Sequence, residues 1–113
     1  MEDHVKESLA EAKNCLNQAE EAGVMAYNLC DGILTNIKGF VHEDVTWMKI
    51  NEHEQKVHEE FQKRLSDARK KLDGIDPLFA WDKGMKQYLS LRQWKSLEML
   101  NFYDKLVKTN EFL

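Results

Sequence analysis

From Val5 to Phe40, apolar and small side chains recur at alternating steps of four and three: Val5, Leu9, Ala12, Leu16, Ala19, Gly23, Ala26, Cys30, Ile33, Ile37 and Phe40. Such steps keep side chains on one face of an α-helix. A run this long in one phase predicts a single amphipathic helix of about 55 Å, whose stripe other helices must cover. The seam changes character at Gly23. Before it, Ala12 and Ala19 let neighbours approach closely; after it, Met25, Tyr27, Leu29 and Leu34 widen the apolar surface, so the second half is expected to be the more deeply covered. An interior Gly costs a helix about 1 kcal/mol against Ala, which makes a break at Gly23 the alternative. The preserved phase favours a continuous or gently kinked helix.

The cover has to come from the rest of one small domain, taken as residues 1–113. The chain is 42% apolar and 32% charged with a single Pro, too apolar for disorder and too poor in turn residues for a sheet of many short strands. The class expected is all-α. A net charge of -4 and a pI near 5.6 weigh against a protein that coats nucleic acid, which needs a net basic face to displace counterions. No window approaches a membrane span, and the charged start Met1-Glu2-Asp3-His4 has no apolar signal region. On the proposed helix Cys15 and Cys30 lie about 22 Å apart, whereas a disulfide needs its α-carbons within about 7 Å. Two free thiols fit a reducing, cytoplasmic setting.

After Phe40 the acids of His42-Glu43-Asp44 suit a helix start, and the stripe Trp47, Ile50, Glu54, Val57, Phe61, Leu65, Ala68 and Leu72 carries a second helix to about residue 73. Leu72-Asp73-Gly74-Ile75-Asp76-Pro77 is the clearest punctuation in the chain: Gly74 suits the end of one helix, Asp76 the N-cap of the next and Pro77 its first position. The last helix places Leu78, Trp81, Met85, Tyr88, Met99, Tyr103 and Leu106 on one side. In its middle Arg92 and Lys95 take that side while Leu91, Trp94 and Leu97 point away, so the helix either bends near Gly84 or Ser90 or has two apolar faces. Helices over about 3–39, 43–73 and 77–110, joined by tight turns, predict an antiparallel up-down-up three-helix bundle, with a four-helix bundle split near Gly23 as the alternative. In the three-helix form the acids Glu2, Asp3, Glu7 and Glu11 lie beside the basic end of the second helix, Lys63, Arg64, Arg69, Lys70 and Lys71. Glu54 interrupts an apolar stripe, and counting back from the turn pairs it with Lys95, or with Arg92 in its place.

Few residues suggest chemistry. His53, Glu54, His58 and Glu59 have metal-ligand side chains, but their spacing is not the His-Glu-x-x-His of zinc hydrolases and the other helices add only His4 and His42, so a metal-binding bundle built on His53, Glu54 and His58 is an alternative only. Neither Cys has a nearby His, and both read as core thiols. The basic run from Lys63 to Lys71 is interrupted by Asp67 and has no interleaved aromatics for base stacking. What remains is the off-stripe apolar group Leu91, Trp94 and Leu97, with Phe79 in the same direction and Met48, Val41 and Val45 on the second helix; the end residues Phe112 and Leu113 add apolar surface. A contiguous exposed patch of this kind marks an interface. The expectation is a non-enzymatic protein-protein interaction module, a regulator or inhibitor that binds a protein partner or its own copy, with no cofactor and no small-molecule substrate. A narrower version, by analogy, is a small acidic inhibitor encoded by a mobile element or phage that blocks a nucleic-acid-binding host protein.

Overall fold

A computed structural model describes residues 2–111, without the side chain of Glu2. Phe112 and Leu113 therefore lie outside the described residues. All regular structure among them is helical: α1 (Glu2–Asn17), α2 (Ala19–Ala22), α3 (Val24–Gly39), α4 (Asp44–Lys70) and α5 (Pro77–Lys108). The single helix expected over 3–39 does not form. The chain turns at Gln18, makes the one-turn α2 and turns again at Gly23, whose φ of +58° and ψ of −131° lie where only Gly is at ease. α1 then lies back along α3. His4 meets the Phe40 ring edge-on at 5.5 Å, so the start of α1 sits beside the end of α3.

Two sequence expectations change with that reversal. Cys15 and Cys30 are not far apart but face each other across the α1–α3 seam; both are free thiols, and burial, with the Asp31 and Cys15 charges adding to it, pushes the Cys30 thiol up to about 12. It stays protonated and unreactive at neutral pH. The acids of α1 do not reach the basic end of α4 either. Lys13 pairs with Asp104 at 2.9 Å, and Asp3, Glu7 and Glu11 lie on the part of α1 that runs on from there toward Phe40, away from the α4–α5 turn.

Reversal makes physical sense because it stacks α1, α3 and α5 on one another. Val5, Leu9, Ala12, Cys30, Leu34, Ile37, Leu100, Tyr103 and Leu106 form one cluster, joined from α4 by Ile50 and Val57. Exposing such side chains costs about 1.5–3 kcal/mol each for the larger ones, more than the small penalty of two turns. Of the residues that widen the seam after Gly23, Tyr27 and Leu34 are buried, whereas Met25 and Leu29 stand in solvent.

α4 and α5 form a long antiparallel pair around the turn at 71–76. Asp76 caps α5 by accepting the Leu78 and Phe79 amides at 3.1 and 3.4 Å, Pro77 opens the helix, and Gly74 takes φ +80°. At the other end Thr46 Oγ1 donates to the Glu111 carbonyl at 2.9 Å. α5 does not bend into two segments: it has two apolar faces, one carrying Ser96, Met99 and Tyr103 and the other Trp94 and Phe102. Glu54 pairs with Lys38 of α3 at 3.2 Å rather than with Lys95, whose ammonium lies over the Phe61 ring. Arg92 is engaged elsewhere. It donates to Asp31 at 3.1 Å and Asn28 at 2.9 Å, while Ser96 Oγ donates to the other Asp31 oxygen at 2.9 Å. Glu54 also escapes the burial its sequence position implies, with its side chain 41% exposed, because α4 packs mainly on α5 and a cleft opens between α4 and α3.

The Gly23 backbone gives the fold a signed test. No heavy atom lies within 4 Å of a Cβ built there, so Gly23→Ala costs only the backbone strain of a positive φ, about 1–3 kcal/mol of stability in urea unfolding. In a continuous helix the same change would stabilise by about 1 kcal/mol.

Candidate functional site

Helix lengths create a projecting feature. α1 and α3 have 16 residues each, about 24 Å, against 27 in α4 and 32 in α5, about 40 and 48 Å. The described residues span 53 Å in the long dimension. Near its start α3 is tied to α5 at Arg92, which reaches Asn28 and lies 6.0 Å from the Tyr27 ring. Beyond that level, about 17 Å of the α4–α5 pair runs on toward the turn. These residues, about 62–87, form an arm.

The arm carries the core stripe of α5 out into solvent. Tyr103, Met99, Ser96, Arg92, Tyr88, Met85, Trp81 and Leu78 follow one another at steps of three and four, so all face one way. Where α3 lies alongside, Tyr103, Met99 and Ser96 are buried; past its start, Met85, Trp81 and Leu78 are exposed, Trp81 at 67% and Leu78 at 83%. Across from them lie Leu65 and Ala68 of α4 and Leu72 of the turn. Between the two helices runs a groove of about 370 Å³. Gly84 leaves room for the Leu72 side chain: a Cβ there would sit 3.3 Å from Leu72 Cδ1. Gln87 Oε1, in the same stretch, is buried without a donor. The arm also differs in charge from the rest of the chain, with seven Lys and Arg against four Asp over 62–87 in a protein of net charge -4.

The residues expected to form one binding patch are dispersed. Trp94 is half-buried, packed on the core, with the Arg64 guanidinium 4.3 Å above its ring. Leu91 is half-buried beside it. Leu97 is partly exposed on α5, Phe79 is exposed near the α4–α5 turn, and Met48 is exposed near the start of α4. Met48 and the arm tip are separated by most of the length of α4, so these five side chains make no common surface. Trp94, on the second apolar face of α5, meets α4 at Arg64. Met48 has other company: Phe40, Val45 and Trp47 form a second exposed apolar group at the α3–α4 junction, where Lys38 lies 4.9 Å from the Trp47 ring.

Nor do the metal-type residues converge. His53 stacks on Phe102 with ring centroids 4.1 Å apart and approaches the Glu98 carbonyl, while Glu54 and His58 line the cleft on another side of α4. Among the described residues no three His, Cys, Asp or Glu are grouped as a metal ion would need. That cleft, about 400 Å³ between α3, α4 and α5, is floored by Leu34, Met99 and Tyr103 and rimmed by Asp31, Glu54, His58 and Lys95. Asp31 and Glu54 are already paired with Arg92 and Lys38, and burial, with the Glu54 charge adding to it, lifts the Tyr103 phenol above its ordinary range. Tyr103 thus keeps its proton at neutral pH, while Asp31 and Glu54 tie α3 to α5 and α4. Among the described residues no helix is long and apolar enough to cross a membrane. No family model, curated protein or solved structure matches the chain.

Trp94 and Trp81 should therefore separate cleanly in denaturant. Trp94→Ala is expected to lower stability by about 2–4 kcal/mol through lost packing, and Trp81→Ala to change it by no more than about 0.5 kcal/mol. Equal losses would show that the arm is covered in solution.

Proposed function

We propose that this chain is a non-enzymatic interaction module, a regulator or inhibitor that binds another protein through the arm of α4 and α5. The observation that carries the reading is the uncovered continuation of a core stripe, Leu78, Trp81 and Met85, on a helical projection. Large apolar side chains on monomers are common singly, but a group of them beside a formed groove is the usual composition of a binding hot spot. The supporting scaffold is a bundle of two short and two long helices, in which the body formed by α1, α3 and the C-terminal half of α5 holds the arm out. Two packed helices, α5 capped by Asp76, present these side chains with little conformational freedom left to lose on binding.

A second reading has its own observation. Asp3, Glu7, Glu11, Glu20 and Glu21 are all exposed along α1 and α2, an acidic surface that suits an inhibitor occupying a basic groove on a nucleic-acid-binding protein. Binding by that surface depends steeply on salt and is indifferent to the arm tip.

Native mass spectrometry of the protein purified from cells that express it separates the two. The arm reading expects a stoichiometric complex that Leu78→Ser with Trp81→Ser abolishes and that Val45→Ser with Met48→Ser leaves intact. A complex that survives the arm substitutions and is lost when Glu7, Glu11, Glu20 and Glu21 become Gln would replace it with the acidic-surface reading.

A further inference from the structure

We infer that the arm groove is the seat of an acidic amphipathic helix from the partner protein, docked end to end with α3. This rests on the arm being the binding surface and adds what it binds. The first support is geometric. α3 lies on the α5 stripe from Tyr103 back to Arg92, and the same stripe continues without a change of phase through Tyr88, Met85 and Trp81. The seat made for one helix simply runs on past the point where the chain reverses at Gly23. An occupant that continues the line of α3 meets the same kind of surface that α3 meets, and about three turns of helix fill it.

Small residues set the depth of the seat. Ala68 and Ala80 line it alongside Gly84, so a helix backbone can approach while Leu72 and Trp81 wall it in. An extended strand would leave its own amides unpaired there, because α4 and α5 spend theirs within their helices. Charge selects the sign. Arg69 stands exposed on the α4 wall of the groove, and Arg69, Lys70, Lys71, Lys83 and Lys86 form no ion pair among the described residues. With the arm net positive, a second arm of the same chain is repelled and an acidic helix is attracted.

The test uses the full chain with a benzophenone amino acid at Met85, in the groove, or at Leu78, one turn beyond Trp81 on the same stripe, irradiated in cells that express it, with the joined peptides mapped by mass spectrometry. The expected result is one adduct from Met85, mapping to a segment of another protein with net negative charge and apolar residues at steps of three and four. Its yield falls about fivefold with Arg69→Glu. An adduct of twice the chain mass, an adduct with lipid or nucleic acid, or a mapped segment that is neutral, basic or without helical periodicity overturns the inference. An adduct from Leu78 with none from Met85 overturns it while leaving the arm as the binding surface. Failure of both positions, with the native complex still present, overturns the arm reading itself.

Discussion

The reversal of the chain between Gln18 and Gly23 is the constraint on which the rest of the structure depends. It converts a seam that could have run as one long helix into two short ones packed side by side. The body gains a layer, with Val5, Leu9 and Ala12 closing over Cys30, Leu34 and Ile37. The α4–α5 pair keeps its full length, and its distal part loses the cover that a straight helix would have provided. The exposed stripe on the arm is thus the direct consequence of a choice made at one glycine.

Polar contacts fix how the pieces meet. Arg92 and Ser96 of α5 hold Asp31 of α3 from two sides, and Arg92 is nearly buried, so shifting α3 by one turn would leave a guanidinium without its carboxylate. Such a pair adds little net stability after desolvation, but breaking it is expensive, which is how it selects a register. Lys38 does the same between α3 and α4 through Glu54 and Asn51, and Lys49 with Glu111 ties the C-terminal end of α5 to α4. The body is held in place at several levels. The arm, by contrast, has only its own hairpin packing.

Local chemistry made part of this legible in the sequence. The all-helical class followed from periodicity, and the turn at 71–76 from Gly74, Asp76 and Pro77, because each of those residues acts on its own backbone. The reversal at Gly23 was not legible from phase, since α1 and α3 both face the same interior and a seam that serves two helices looks like a seam that serves one. Its signal is the glycine itself, whose cost inside a helix disappears at a reversal. The partners of Glu54 and Arg92 depend on where α3 lies, and a hairpin register counted along α4 and α5 says nothing about a third helix. For the candidate site, Leu78, Trp81 and Met85 share one stripe with the buried Met99 and Tyr103, and the sequence pattern does not separate them. Periodicity shows which way a side chain faces, and only the length of the neighbouring helix decides whether anything covers it.

A distance across the reversal tests the account most directly. In a chain with Cys15→Ser and Cys30→Ala, spin labels at Glu7→Cys and Asn36→Cys report by pulsed dipolar spectroscopy whether α1 lies along α3. Adjacent packed helices place the labels about 10–20 Å apart. A distance of about 43 Å, the length of a continuous helix between those positions, would contradict the fold-back and, with it, the uncovered arm.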